Sequence, residues 1–390
     1  MDNTELTSDE FWQSDQCRIM VNPRDDRSLA EAEIIQSWAH KQSALSGHVL
    51  FSTSGSSGRS KWVALSRESI LASARVVNQF LSASESDIWL LALPDFHVGG
   101  MGILARSYTA SCQVVYMGGK WDARVYHAMV LTEGCTLSSL VPTQLVDLVQ
   151  SGLSAPPSLR AVLIGGGRLD DAVYQQAIDL GWPVMETYGM TEACSQVATA
   201  RLGSRDLKVL SGWQTQISDD GRLMINGEAL LTAYASCHDG LCEIQDPKQE
   251  GWFTTGDVVE LTANCLLVKG RADRCVKVLG ELVNLAEVES AFSNTIENEE
   301  ISGHESVVTS IPDIRNGSRL VLCSDKDVDL RLELNLEELR LRYNDTCHPV
   351  ERIESVCLLG EIPRSALGKI RYGELSDLVA GVLVTKEQRK

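Results

Sequence analysis

The chain has 390 residues, of which 44% are hydrophobic, and its formal net charge is −18. Because a single hydrophobic core rarely grows beyond about 250–300 residues, this length predicts two or more domains. The acidic excess argues against nucleic acid or an anionic membrane as the main partner. A local basic site for a phosphate-bearing ligand is still compatible with it.

Targeting signals, a zinc site and a disulfide framework are not expected. No stretch approaches the ~18 consecutive apolar residues of a membrane span. The acidic N-terminal segment MDNTELTSDEFWQSD lacks the basic and apolar regions of a secretory signal. The 11 cysteines are scattered and form no CxxC pair, which predicts reduced thiols in a cytoplasmic protein, without a zinc site or disulfide framework.

Short apolar runs alternate with amphipathic stretches through the first part of the chain. The apolar runs predict strands at 48–51, 87–93, 113–117, 136–140 and 160–164. The amphipathic stretches predict helices at 69–81 and 143–150. This alternation is typical of an α/β fold with substantially parallel strand pairing.

The pattern changes twice further along the chain. From about Leu207, short strands separated by Gly and Asp turns predict an antiparallel β region. After Arg271 the pattern is mixed α+β and includes a charged helix at 329–343. We therefore expect a large α/β domain with a β-rich subdomain (1–272), followed by a small, mobile α+β domain (273–390).

The stretch FSTSGSSGRSK (51–61) is rich in hydroxyl side chains, contains two glycines and ends on a lysine. Backbone N–H groups and hydroxyls on such a loop can surround a polyphosphate. It is not a Walker P-loop, because the spacing G-x-x-x-x-G-K-[ST] is absent. On composition alone, an ordinary Gly/Ser turn is the simpler interpretation.

Further motifs follow this stretch in chain order. They are LPDFHVGG (93–100), IGGGRL (164–169), ETYGMTE (186–192), GWFTTGD (251–257), KGRADRCVKVLGELV (269–283) and PRSALGKIR (363–371). Together with TSGSSGRSK they resemble the motifs of the AMP-forming adenylating enzymes, the family of acyl- and aryl-CoA synthetases. The resemblance extends over nearly the whole chain.

This resemblance implies a reaction in two halves. A small-molecule carboxylic acid attacks the α-phosphate of ATP to give acyl-AMP and pyrophosphate, and the thiol of coenzyme A then displaces AMP. Mg²⁺ is implied as the cofactor that accompanies ATP. Neither half needs a protein nucleophile, so the protein supplies positioning, charge neutralisation and desolvation.

The resemblance also implies which residues hold the nucleotide. Those matched to the β- and γ-phosphates are Thr53, Ser54, Gly55, Ser56, Ser57 and Gly58, with Lys61 in support. Those matched to the adenosine are Gly165, Gly166, Gly167, Glu186, Thr187, Tyr188, Gly189, Asp257 and Arg271. Thr191 matches a contact to the α-phosphate and Glu192 a magnesium ligand, a role suited to carboxylate oxygen. On the residues alone, Thr191 and Glu192 could equally cap a helix, and Asp257 could occupy a turn.

A C-terminal lysine and a hinge complete the implied machinery. Lys369 matches the lysine that bridges the substrate carboxylate and the α-phosphate, although a solvated surface lysine is the alternative. Asp273 matches the hinge about which the small domain rotates between the two half-reactions. The segment that contains Lys277 and Gly280 would then line the tunnel for coenzyme A.

The acid substrate is indicated by three stretches. His97, with Gly99 and Gly100 beside it, lies where the family places a residue near the substrate carboxylate. The segments 93–107, 138–149 and 188–199 resemble the o-succinylbenzoate–CoA ligase branch of the family, which acts in menaquinone synthesis. An acid with two carboxylates needs a second cation or a set of donors, since an unpaired buried carboxylate is costly. The candidates are Arg106, Ser195 and Gln196, with a structural ion pair as the alternative for Arg106.

The chain also departs from the family pattern. Fewer residues precede the phosphate-loop motif than is common in the family, so we expect part of the N-terminal subdomain to be reduced. Because that subdomain often contributes to dimers, a homodimer of the family type is possible, but its interface is not predicted. Other open functions are a different aryl or acyl acid–CoA ligase, an enzyme that loads a carrier protein, and an inactive nucleotide-binding paralogue. Retention of Thr191, Glu192, Asp257, Arg271 and Lys369 weighs against the last of these.

Overall fold

The computed structural model describes residues 5–23, 26–54, 60–238, 241–296, 306–313, 315–324, 330–364 and 370–387. The α-helices in these ranges are α1 (Asp9–Trp12), α2 (Asp26–Ala39), α3 (Arg67–Leu81), α4 (Val98–Ala110), α5 (Ala123–Glu133), α6 (Pro142–Gln150), α7 (Asp171–Asp179), α8 (Leu285–Ile296), α9 (Leu330–Thr346) and α10 (Tyr372–Glu387). Short 3-10 helices lie at Glu5–Thr7, Ser43–Leu45, Thr191–Ala193, Ala272–Arg274 and Pro349–Glu351.

The strands of the first half are β1 (Arg18–Met20), β2 (His48–Ser54), β3 (Ser60–Ser66), β4 (Ile88–Leu91), β5 (Gln113–Tyr116), β6 (Leu137–Leu140), β7 (Ala161–Ile164), β8 (Val184–Met190) and β9 (Ser195–Thr199). The remaining strands are β10 (Leu207–Val209), β11 (Gln214–Ile217), β12 (Arg222–Asn226), β13 (Ala233–His238), β14 (Leu241–Gln245), β15 (Phe253–Thr262), β16 (Cys265–Arg271), β17 (Cys275–Val278), β18 (Glu281–Asn284), β19 (Ser306–Asp313), β20 (Gly317–Ser324) and β21 (Ile353–Leu358).

The predicted α/β fold is confirmed. Strands β5, β4, β6, β7 and β8 lie side by side and pair in parallel. Successive side chains on these strands alternate between two hydrophobic clusters on opposite faces of the sheet, as in Trp89 and Leu90 or Leu163 and Ile164. The strand runs are apolar because helices cover both faces.

The predicted antiparallel region exists, but most of it does not form a separate sheet. Its strands continue the parallel sheet through the antiparallel pair β8–β9, which gives one 11-stranded sheet in the order β11-β12-β15-β16-β10-β9-β8-β7-β6-β4-β5. Strands β13 and β14 instead join a second sheet in the order β1-β2-β3-β13-β14. Strand β8 is therefore the place where the large sheet changes from parallel to antiparallel pairing.

The phosphate-loop motif connects two strands of the second sheet. β2 and β3 are antiparallel, with Thr53 opposite Lys61 and Ser54 opposite Ser60. Residues 55–59, between these strands, lie outside the described ranges. The motif is thus the connection of a β-hairpin, and Lys61 stands at its base.

The predicted helices form with the expected faces and ends. In α3, the Ser66 hydroxyl accepts a hydrogen bond from the Ser69 N–H, which caps the helix start. Ile70, Ala74, Val77 and Leu81 of this helix are buried at helical spacing. The charged helix predicted at 329–343 is observed as α9.

Residues after β16 build their own hydrophobic clusters. One lies between α8, α9 and the sheet β19-β20-β21, and another lies beneath α10. None of the described members of these clusters belongs to the clusters of the large sheet. The domain boundary at 272/273 and the mobility of the small domain stay predictions.

The cysteine prediction is wrong at one place. Cys237 and Cys242 lie opposite each other in the β13–β14 hairpin and form a disulfide, whereas the other cysteines are free thiols. The pairing follows from the hairpin register, which a search for CxxC spacing does not reveal. Within the described ranges, no helix combines the length and the hydropathy needed to cross a bilayer.

Candidate active site

The predicted site residues lie where parallel strands of the large sheet end. β4 leads to His97, β7 leads to Gly165, and β8 carries Tyr188 and is followed by Glu192. The carboxyl ends of parallel strands are where open α/β sheets usually bind ligands. The fold therefore brings the dispersed motifs to one edge of one sheet.

Gly165 packs against the neighbouring strand. The Thr187 hydroxyl donates to the carbonyl of Ile164 at 3.1 Å, and a Cβ at Gly165 would lie only 2.5 Å from that hydroxyl oxygen. The Gly165 N–H donates to the carbonyl of Leu140 at 3.1 Å. The first of the residues predicted to surround adenine therefore lies at a closely packed strand end. Any side chain larger than that of glycine at position 165 would collide with Thr187.

Tyr188, Asp257, Arg271 and Asp273 form one polar chain. The Tyr188 hydroxyl donates to Asp257 Oδ2 at 2.6 Å. An Arg271 guanidinium nitrogen lies 3.7 Å from Asp257 Oδ1, and two others donate to the Asp273 carboxylate at 3.0 Å each. Burial, followed by the charge of Asp257, raises the pKa of Tyr188, so the phenol stays protonated and remains the donor.

Glu192 lies in a second polar cluster. The Tyr234 hydroxyl donates to Glu192 Oε1 at 2.8 Å, and the Leu231 N–H donates to the Glu192 carbonyl at 2.8 Å. Lys61 Nζ lies 5.2 Å from the centroid of the Tyr234 ring. Sequence reasoning missed Tyr234, because a single tyrosine in TAYAS belongs to no motif identified from the sequence.

Arg271, a member of the first cluster, also acts electrostatically on the second. Its positive charge lowers the pKa of Tyr188 and of Tyr234, against the larger raising effects of burial and of the nearby carboxylates. Glu192 in turn raises the pKa of Arg271, after the larger effect of Asp273. Asp257, Arg271 and Glu192 therefore belong to one electrostatic site.

The donor set fits a magnesium ion that accompanies a polyphosphate. Glu192 Oε2 accepts no hydrogen bond from any residue in the described ranges. Those ranges also contain no group of three His, Cys, Asp or Glu side chains that could hold a metal. Because Mg²⁺ usually takes one or two carboxylates and completes its shell with phosphates and water, a single available carboxylate oxygen suits it.

Arg106 is a buried cation that pairs with no carboxylate among the described residues. The residue is 2% exposed on helix α4, and its guanidinium lies 5.7 Å from the centroid of the Trp89 ring. One terminal nitrogen donates to the Ser195 hydroxyl at 3.3 Å, while Nε has no partner among the described atoms. Burial lowers the pKa of Arg106 to about 9, which reflects the cost of burying this charge. Over the described part of the chain, the alternative of a structural ion pair is not observed.

Two neutral side chains on strands that contact helix α4 also have an unused polar atom. Gln196 Nε2 donates to the Thr199 hydroxyl at 2.8 Å, but its buried Oε1 has no partner among the described groups. The buried hydroxyl of Ser139 likewise lacks one. Ser139 is on the same face of β6 as Leu137, the residue that pairs with Trp89. Sequence reasoning missed Ser139, whose signal is a polar residue within an apolar strand.

The start of β9 has an unusual backbone. Ser195 has a φ of 116°, which residues with a side chain rarely adopt. On β8, Gly189 pairs with Gln196, and the strand register shifts between Tyr188 and Gly189. A Cβ at Gly189 would lie 1.5 Å from the Ser195 carbonyl oxygen. The bulge directs Ser195 toward Arg106 and requires glycine at position 189.

His97 precedes helix α4, and its ring lies 4.7 Å from that of Phe96. The two glycines after it have a packing role that the sequence did not predict, and their role beside the substrate stays a prediction. A Cβ at Gly100 would lie 2.2 Å from the carbonyl oxygen of Pro94, and one at Gly99 would lie 3.2 Å from Leu93. These glycines allow the helix to approach the preceding loop, which explains their presence without reference to a substrate.

Several predicted residues are not brought into these clusters. Both carboxylate oxygens of Glu186 accept from Arg205, so its side chain is engaged in an ion pair. Lys277 and Gly280 lie on the β17–β18 hairpin of the C-terminal region, and their role at coenzyme A stays a prediction.

The remaining predicted residues are placed as follows. Gly166 and Gly167 follow β7, and Thr191 opens the 3-10 helix before Glu192. Lys369 and the residues Gly55, Ser56, Ser57 and Gly58 lie outside the described ranges.

Comparison with known proteins identifies the family. Residues 8–227 match the family described as AMP-binding enzyme. The chain therefore belongs to the AMP-binding enzyme family, in agreement with the motifs and with the confirmed fold.

The similar proteins with curated names point to one kind of ligase. The chain is 26% identical to the 2-succinylbenzoate–CoA ligase of one Bacillus cereus strain, over 93% of this chain and 74% of that protein. It is 27% identical to the enzyme of the same name from strain Q1, over 97% and 82% respectively.

Solved structures agree with this. o-Succinylbenzoate coenzyme A synthetase (MenE) from Bacillus subtilis in complex with AMP has a TM-score of 0.71 and 26% identity, over 84% of this chain and 69% of that one. The same enzyme with its acyl-adenylate intermediate has a TM-score of 0.72. ATP-bound MatB from Rhodopseudomonas palustris, at 19% identity and a TM-score of 0.70, shares the fold.

Proposed function

We propose that the chain is an ATP-dependent o-succinylbenzoate–CoA ligase. It would adenylate the succinyl carboxylate, release pyrophosphate, and transfer the acyl group to coenzyme A with release of AMP. The observation that carries this proposal is Arg106, a buried guanidinium without a carboxylate partner in the described ranges. It donates to Ser195 of β9, the strand that pairs with the Tyr188 strand β8. The named relatives support the same substrate.

The acyl end suits an acid with two carboxylates. Arg106 would pair with the ring carboxylate, the one that does not react. The Ser139 hydroxyl can donate to the same group, whereas Gln196 Oε1 can only accept. A charge-assisted hydrogen bond in a buried site is stronger than a neutral one, and a planar guanidinium can donate two of them to one carboxylate.

The nucleotide end suits ATP. Asp257 would exchange its contacts with Tyr188 and Arg271 for the ribose hydroxyls, and Tyr188 would present its ring to adenine. Glu192 would hold Mg²⁺ through Oε2, and Thr191 would contact the α-phosphate. When bound, Mg²⁺ would offset the negative charge that builds up as pyrophosphate leaves.

The second half-reaction requires a change of site that the predicted hinge would supply. Lys369 would assist adenylation, and rotation about Asp273 would then bring the hairpin with Lys277 and Gly280 to the acyl-AMP for attack by the thiol. These roles are predictions, as are the cytoplasmic location and the homodimer.

Pyrophosphate release from ATP tests the function. We expect turnover with o-succinylbenzoate that yields a thioester only when coenzyme A is present. The matched control is 3-benzoylpropionate, which has the same succinyl chain but no ring carboxylate, and it should react far more slowly. CoA-dependent turnover with benzoates or fatty acids but none with o-succinylbenzoate would show that the chain is a different acid–CoA ligase.

A further inference from the structure

Tyr234 lies outside every motif that links the chain to its family, yet it contacts two predicted ATP-binding residues. Its hydroxyl donates to Glu192, and its ring faces the ammonium group of Lys61. We infer that Tyr234 is a positioning residue that holds Glu192 in the orientation needed for the metal–triphosphate end of ATP. The inference rests on the proposed function.

The backbone of Tyr234 is fixed from two sides. On β13 it pairs with Val63 of β3, the strand that begins at the phosphate-loop motif. Just before it, Lys248 Nζ donates to the carbonyls of Leu231 and Thr232 at 2.8 Å each. A side chain on such an anchored strand can hold a neighbouring carboxylate in a fixed orientation.

The hydrogen bond assigns different tasks to the two oxygens of Glu192. The phenol of Tyr234 donates this hydrogen bond to Oε1. With Oε1 occupied by this donor at 2.8 Å, Oε2 is the oxygen available to a cation. Without the phenol the carboxylate could rotate, and part of the binding free energy would be needed to order it.

The ring of Tyr234 gives a second connection. A cation about 5 Å from an aromatic centroid is attracted to the ring face, and Lys61 Nζ is 5.2 Å from that of Tyr234. Tyr234 thus joins the base of the phosphate-loop hairpin to the predicted metal ligand. Lys61 and Glu192, the two residues that Tyr234 contacts, are both predicted to act at the triphosphate, and neither is predicted to bind the adenosine.

Calorimetric titration with ATP and with AMP, each with and without Mg²⁺, tests the inference on the full chain. In Tyr234→Phe, which keeps the ring, the Mg²⁺-dependent gain in ATP affinity should fall roughly tenfold, as expected for a lost hydrogen bond to a charged group. AMP affinity should not change. The matched control is Tyr126→Phe, which removes a buried phenol on the other face of the large sheet and should alter neither affinity.

The outcomes separate the inference from the proposed function. A Tyr234→Phe protein with the wild-type Mg²⁺ effect, or one that loses AMP and ATP affinity equally, overturns the positioning role. Wild-type protein that binds ATP without any Mg²⁺ effect overturns the proposed function instead. If the variant does not fold, 3-fluorotyrosine at position 234 of the otherwise unchanged chain replaces it. Its ¹⁹F resonance should shift when Mg²⁺ is added to the ATP complex, and an unmoved resonance overturns the inference.

Discussion

The two ends of the candidate site differ in how their polar groups are hydrogen-bonded. At the nucleotide end, Asp257 and Glu192 each accept a hydrogen bond from a partly buried tyrosine. At the acyl end, Arg106, Ser139 and Gln196 each bury a polar atom that has no partner in the described ranges. Each carboxylate at the nucleotide end thus has a hydrogen-bond donor before any ligand arrives, whereas these buried polar atoms at the acyl end have no partner among the described residues.

This difference has an energetic meaning. When a ligand binds at the nucleotide end, a carboxylate exchanges hydrogen bonds from tyrosine for hydrogen bonds from the ligand. The net gain in free energy is small, so the nucleotide can also be released readily. A buried cation without a counter-charge costs several kcal/mol, and a ligand that neutralises it recovers much of this cost. Selectivity between acids is therefore expected to arise at the acyl end.

The largest expected effect comes from removing the buried cation. Arg106→Met should weaken o-succinylbenzoate binding by about 100-fold or more, because a buried carboxylate left unpaired costs about 2–5 kcal/mol. The same variant should be at least as stable as the wild type, since it removes an unpaired buried charge. Calorimetry with the acid and thermal unfolding measure the two effects.

AMP affinity is the internal control for Arg106→Met, and it should stay at the wild-type value. A variant that binds o-succinylbenzoate normally but is less stable would show that Arg106 is a structural residue. The contrast between the two ends of the site would then not hold.

A paired arginine elsewhere in the fold provides the counter-example. Arg160 donates to both oxygens of Asp87 at 2.8 and 2.7 Å, and these hydrogen bonds lower the pKa of Asp87 to about 2. The lowered pKa corresponds to about 2 kcal/mol, fully present above about pH 4 and lost as the pH falls toward 2. Asp87→Asn should therefore lower the free energy of unfolding by at least about 2 kcal/mol at neutral pH.

Urea unfolding of both proteins between pH 7 and pH 2 checks the Asp87 prediction. The difference in the free energy of unfolding should shrink as the pH falls below about 4. A difference that does not vary with pH would mean that the Asp87 charge contributes nothing, and that only packing is affected.

A smaller effect is expected from Asp257→Asn. The amide keeps one acceptor oxygen but loses the charge that strengthens hydrogen bonds to the ribose, so AMP affinity should fall by about tenfold. Binding of o-succinylbenzoate alone should be unchanged. If the variant loses acid affinity instead, the assignment of the two ends is wrong.

The smallest effect is expected from Ser139→Ala. Because the hydroxyl has no partner among the described residues, its loss should not reduce stability. Loss of one donor to the substrate should raise the KM for o-succinylbenzoate by a few-fold, in line with about 1 kcal/mol per hydrogen bond. With 3-benzoylpropionate the variant and the wild type should behave alike, and an equal loss with both acids would contradict a contact to the ring carboxylate.

Strands and helices with a strong hydrophobic period could be predicted from the sequence. β4, β5, β6 and β7 appear within a few residues of their predicted positions because buried parallel strands are nearly continuous apolar runs. The way in which the antiparallel strands join the parallel ones could not be predicted. It depends on the bulged pairing of β8 with β9, which no local pattern encodes.

The site shows the same limit. Motif residues such as Tyr188 and Asp257 could be found because their neighbours in sequence form a recognisable pattern. Tyr234 and Ser139 could not, since each is a single polar residue whose importance depends on what the fold places opposite it. The Cys237–Cys242 pair is another such case, because only the hairpin register makes it close.

The switch of the large sheet at β8 has a consequence for folding. The contacts that build the nucleotide end join residues 69 and 42 positions apart in the chain, Tyr188 with Asp257 and Glu192 with Tyr234. Such distant contacts close late, because the entropy of the intervening loops must be lost first. A ligand that binds only the closed arrangement stabilises the native state by mass action. A rise in melting temperature with added AMP would therefore report that Tyr188 of β8 and Asp257 of β15 are in contact in the native state.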